Sequence, residues 1–249
     1  MKPIDTMCGL MNTVYQSGAV LEVMLHNDSL WHIKPTRPRE KVQGSTSLQD
    51  LLSRAKKLSE KDRRSLAVLL ANALLYLKDS RWLDDHWTKK DICFITSTGE
   101  DFDIGRPYLE SNFKESLASA AANEPDLLQL HQCPPILGLG VMLLELGLSA
   151  PIEKLRLEDD TVNGTVNPNM DIITAGRVLS ESEGDLHDGY RAAVQACLDC
   201  HFVPDGSFDF ADEEFRGLVY QHIVEPLETE LYHGWKIKAS DLWSETVSS

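Results

Sequence analysis

The chain reads as a mainly α-helical fold with a small β element at its front, and three observations carry that reading. Leu66, Leu69, Leu70, Ala73, Leu74 and Leu77 recur at helical spacing and form a broad apolar stripe. Residues 136–148 are apolar nearly all round, the pattern of a helix buried on every side. Three further helical patterns fill the end of the chain, whereas the β-like runs are short.

In chain order, Leu10-Met11 and Val20 to Leu25 flank Gln16-Ser17-Gly18 and predict two short strands joined as a hairpin. From Pro35 to Ser47 the Pro, Arg, Gly and Ser content predicts an exposed connection. Ser47 is placed to cap a helix carrying Leu48, Leu51, Leu52, Ala55 and Leu58, and Ser59 to cap a longer one. Ile92-Cys93-Phe94-Ile95 reads as a strand within the loop-rich stretch 80–112, where Trp82 and Trp87 are expected to pack the loop onto the body. Pro134 and Pro135 suit the first turn of the apolar helix. After the breakers Asn163-Gly164 and Asn167-Pro168, helices are expected at about 171–182, 187–201 and 212–232.

With 249 residues, 42% of them hydrophobic and 25% charged, the composition is that of a globular protein. The expected organisation is one domain, 1–249, with 1–46 as a vestigial β hairpin and linker and 47–249 as the helical body. No run reaches the roughly 18 apolar residues of a membrane span, and the N-terminus lacks a secretory core. Five cysteines, an odd number, suit free thiols in a reducing compartment, so a cytoplasmic location is expected.

The formal charge of −15 is unevenly spread. Residues 34–64 hold ten Lys and Arg against four acids, while 151–249 hold seven against twenty. An acidic half repels phosphate backbones and argues against nucleic-acid binding, whereas the basic stretch 34–64 fits a solvated helix face or a weak contact with anionic lipid.

Motifs for common chemistries are thin. Cys197-Leu198-Asp199-Cys200-His201 matches C-x-x-C-H, but Cys197 shares an apolar stripe with Tyr190 and Val194 and is expected to be a buried thiol. Asp205, Asp209, Asp212, Glu213 and Glu214 do not fit a calcium loop, and Asp212-Glu213-Glu214 suit a helix N-terminus. Hydrolase, zincin and P-loop signatures do not occur, and no cofactor or metal is expected.

Several segments, in order, resemble protein-kinase landmarks: Val20 to Leu25 with Ser47 to Leu52, then Leu139 to Leu146 with Pro151, then Ala196-Cys197-Leu198. More closely, Ser47 to Leu52, Leu58 to Arg63, Trp82 to Ile92 and Leu137 to Leu146 are similar to a fungal family of unknown function. That family carries a degenerate kinase C-lobe, often downstream of HeLo-type segments linked to incompatibility and cell death. The resemblance covers about residues 20–231 and implies a kinase C-lobe-like helical domain with a truncated N-terminal lobe.

Laid over the kinase catalytic loop, the resemblance puts His86 at the base Asp, Thr88 at the Lys two places on, and Asp91 at the metal-binding Asn. Asp103-Ile104-Gly105 then resembles a relic of D-F-G, and Pro135 stands where a bracing Asp belongs. The glycine loop and the V-A-I-K lysine are missing. Phosphoryl transfer is almost wholly alignment and electrostatic stabilisation, so these losses imply a non-catalytic, pseudokinase-like scaffold with a protein partner in fungal signalling or self/non-self recognition. The alternative is a minimal Mg²⁺-dependent nucleotide-binding or transferase enzyme using Asp91 and Asp103, with His86 as base.

Overall fold

The computed structural model describes residues 2–3, 10, 22–26, 29–33, 44–54, 57–78, 83–96, 102–110, 131–160, 170–204 and 206–244. These fall into two compact units, Met1–Gly44 with Ser97–Asp101, and Ser45–Thr96 with Phe102–Ser249.

In the first unit, β1 (Lys2–Pro3), β2 (Glu22–His26) and β3 (Ser29–Ile33) form an antiparallel sheet in the order β1-β3-β2. β2 and β3 pair from Glu22 opposite Ile33 to His26 opposite Ser29. The turn expected at Gln16-Ser17-Gly18 lies outside the described residues.

The second unit is mainly helical. A small sheet runs β4 (Gly44–Ser47), β5 (Ile92–Thr96), β6 (Tyr108–Leu109), with Ile92 opposite Leu109. Helix α1 (Leu48–Ser53) starts at Ser47, whose Oγ accepts from the Asp50 N–H at 3.1 Å while the Asp50 carboxylate accepts from the Ser47 N–H at 3.2 Å. This capping box satisfies two otherwise unpaired donors. The helix stops well short of the expected Leu58. Ser53 Oγ donates back to the Gln49 carbonyl, a bond that weakens a helix end, and Arg54 turns extended.

Ser59 caps α2 (Glu60–Leu77) through the Asp62 N–H, and of the apolar stripe Leu66, Leu69, Leu70 and Leu74 are buried while Ala73 and Leu77 are partly buried. Helix α3 (Pro134–Leu148) is buried along most of its length and packs against α2, α4 (Met170–Glu181) and α5 (Asp188–Asp199). Arg63 of α2 donates to the Leu146 and Gly147 carbonyls at the end of α3, favourable for a cation at a helix C-terminus.

Glycine sets how closely α3 and α5 approach. A Cβ at Gly140 would lie 2.6 Å from the Cys197 Cβ. Gly140→Ala is therefore expected to destabilise by about 1–3 kcal/mol through overpacking, although alanine is the better helix former by ~1 kcal/mol. Urea unfolding checks the sign.

A 3₁₀ turn at Glu158–Asp160 delivers Asp160 to α4, where its carboxylate accepts from Arg177 Nε and Nη2, both at 2.8 Å, and from Thr174 and the Leu157 N–H. The Arg177 guanidinium holds the Asp160 carboxyl well below the usual range. A depressed carboxyl stabilises the fold above its unfolded pKa, near 4, and loses that contribution as pH falls through the folded pKa. Asp160→Asn should cost about 3–5 kcal/mol at neutral pH. Urea curves of both proteins should draw together as pH drops below about 4.

The expected helix 212–232 is three pieces in line: α6 (Glu213–Val219), a π turn (Tyr220–Val224) and α7 (Glu225–Trp235). Pro226 lacks an N–H and cannot bond to the His222 carbonyl, which favours the wider turn just ahead of it. A short α8 (Ala239–Ser244) follows. Among the described residues no helix is long and apolar enough to cross a membrane.

Candidate functional site

The loop between α2 and β5 is held by its own polar side chains. Asp84 accepts from the His86 N–H at 2.8 Å, and Asp91 Oδ2 accepts from the Thr88 N–H at 2.7 Å and the Thr88 hydroxyl at 3.1 Å. Trp87 points the other way. It is 1% exposed, and its indole N–H donates to the Pro135 carbonyl at 2.9 Å, tying the loop to the first turn of α3. The packing role expected of Trp87 is realised, while Trp82 lies outside the described residues.

Lys89 turns inward, and its ammonium bridges the carboxylates of Glu145 and Glu153. Glu145 stands in the apolar face of α3, and its Oε1 also accepts from the Ile152 N–H at 2.7 Å. Burial pushes the Glu145 carboxyl up, against the pull of the Ile152 bond and Lys89. Glu153, half-exposed, is also raised by burial, but its bond to Lys89 carries it below the ordinary range.

Beside this network is a cleft of about 470 Å³ lined by His86, Thr88, Lys89, Glu145, Glu153 and Asp171, among others. Arg156 and Asp171, which also line it, form an ion pair. Of the residues singled out in the sequence, His86 and Thr88 meet here. Asp91 and Asp103 do not line this cleft. Asp103 accepts from the Gly105 N–H at 3.0 Å and pairs with Arg106, and Gly105 lines a different, apolar cavity.

Lys89, Glu145 and Glu153 were not among the residues the sequence singled out. Their signal is Glu145, a charge inside a run otherwise apolar: a buried carboxylate requires a cation nearby.

Cys197 is buried as expected, and the C-x-x-C-H residues do not converge. Cys200 takes a left-handed backbone, φ 50°, that sends His201 to solvent, while its thiol lies 3.6 Å from His131 Nε2. Burial raises the Cys133 thiol to about 11 and the Cys200 thiol to about 12. Cys93, Cys133, Cys197 and Cys200 are free. Among the described residues no group of three His, Cys, Asp or Glu is placed to hold a metal ion. Asp212 caps α6 through the Glu214 N–H, the helix-terminus role its position predicts.

The basic stretch is partly structural. Arg64 is 3% exposed, pairs with Glu230 at 2.8 Å and lies 4.0 Å over the Tyr190 ring, while Arg54 donates to Thr46. Lys34, Arg37, Arg39, Lys41 and Lys56 lie outside the described residues.

No curated protein and no solved structure matches the chain. A family model described as a domain of unknown function, DUF7580, matches residues 1–234. With that match over nearly its whole length, the chain belongs to the DUF7580 family.

Proposed function

We propose that the chain is a non-catalytic, pseudokinase-like interaction module that acts through a protein partner, in fungal signalling or self/non-self recognition. The observation that carries this reading is how the catalytic-loop positions are occupied. Asp91 spends its carboxylate on Thr88, and Asp103 accepts from the Gly105 N–H within its own turn. Lys89, next to Thr88, is drawn into the body by Glu145. Where the resemblance expects a bracing Asp, Pro135 offers a carbonyl to Trp87. The loop is built to be held still, with its acids already satisfied by neighbours, and a phosphoryl-transfer site needs those groups free for metal and phosphate.

A thermal-shift titration with ATP, with and without Mg²⁺, tests the proposal. A genuine site at a hundredfold excess over Kd would add about 2.7 kcal/mol of stability. The expected result is no metal-dependent rise in Tm, and a large one overturns the reading. Under the competing transferase reading, that rise would also be lost in Asp103→Asn.

A further inference from the structure

We propose that the apolar cavity on the other side of Trp87 binds a single-chain anionic amphiphile, a long-chain carboxylate, with its tail inside and its head at Arg106. This site is separate from the cleft above, and the inference does not rest on the pseudokinase reading. The cavity is open on one side and measures about 680 Å³, within the range of ligand pockets.

Its lining is nearly all hydrocarbon and comes from four separate segments. Leu69, Ala73 and Leu77 come from α2, Leu83 and Ile92 from the loop and strand after it, and Leu242 from α8, with residues 105–109 as the fourth. Asn72, the lining amide, is already bonded to the Val68 carbonyl and to Glu228. Such a surface gives water few partners, so displacing solvent with a hydrocarbon tail is favourable.

Charge supplies the second half of the match. Among the described lining residues Arg106 is the only charged one. Its bond to Asp103 is 3.3 Å long, with the two side chains 47% and 60% exposed. Exposed pairs of this kind contribute about 0–1 kcal/mol, so a ligand carboxylate can take the guanidinium at little cost. Tyr76 and Tyr108, 73% and 48% exposed, also line the cavity, giving its open side amphipathic rings.

The test uses palmitate below its micellar concentration, hexadecanol as the uncharged chain, bromine-labelled palmitate as a quencher, and phosphatidylserine vesicles as the membrane arm. Expected are saturable binding of monomeric palmitate by titration calorimetry and quenching of tryptophan emission that largely disappears in Trp87→Phe. Arg106→Gln should weaken palmitate roughly tenfold and leave hexadecanol unchanged. Ala73→Trp, which fills the cavity, should abolish both while circular dichroism stays native. Lack of saturable binding, binding to vesicles alone, equal quenching in Trp87→Phe, or equal loss of both chains in Arg106→Gln would overturn the proposal. If Ala73→Trp does not fold, the Trp87→Phe quenching comparison decides.

Discussion

Lys89→Met is expected to destabilise the protein by about 3–5 kcal/mol at neutral pH, the cost of stranding a buried charge. Glu145 is 1% exposed, and without the ammonium its carboxylate would keep only the Ile152 N–H as a partner. Glu153 loses less, because it is half in water. The loss should depend on pH in a defined direction. Removing Lys89 raises the folded pKa of Glu145 further, so stability falls as pH rises through the unfolded value near 4.3 towards the folded one. Below that window the carboxyl is protonated in both states, and the gap from wild type closes. Urea unfolding at neutral pH and again near pH 4 measures it. The double variant Lys89→Met with Glu145→Leu should recover most of the stability, since a well-packed apolar pair often matches a buried ion pair. A double variant as unstable as the single one would show that the packing of Lys89 matters more than its charge.

Trp87→Ala should cost about 3–5 kcal/mol, the usual result of emptying a buried aromatic site. Two losses combine. The ring is buried in the main apolar core, and its N–H satisfies the Pro135 carbonyl at the head of α3. Trp87→Phe keeps most of the packing and removes the donor, so about 0.5–1.5 kcal/mol is expected for the lost hydrogen bond, because a carbonyl in the first turn of α3 keeps its helical N–H partner. Because Trp87 lines both the cleft and the apolar cavity, truncation to alanine also removes the wall they share. A Trp87→Ala protein as stable as wild type would mean that the loop refills the space.

Much of the helical body was legible because it rests on local chemistry and one-dimensional spacing. Ser59 and the leucines from Leu66 to Leu77 define α2, and Pro134-Pro135 followed by an apolar run define α3. What the sequence concealed depends on partners far along the chain. Arg63 and Arg64 look like surface charges beside Lys61, but one binds the end of α3 and the other Glu230. Lys89 is one of two adjacent lysines, and only the folded position of Glu145 distinguishes it from Lys90. The early stop of α1 was hidden because Ala55 and Leu58 continue the apolar spacing beyond the point where the backbone leaves the helix. For the candidate site, the sequence singled out His86 and Thr88, which line one cleft, but could not reveal that Asp91 and Asp103 are occupied by their own turns.

The π turn between α6 and α7 has a geometric consequence. Phe215, Val219, Ile223, Leu227 and Leu231 are all buried and recur every fourth residue. At 3.6 residues per turn each such step overshoots a full circle by about 40°, so four steps would walk the stripe roughly 160° around a regular helix. The looser winding of residues 220–224 slows that walk midway, letting both halves keep their greasy side turned into the apolar core. Deleting one residue there would regularise the hydrogen bonding and throw the two halves out of phase, wetting either Phe215 and Val219 or Leu227 and Leu231.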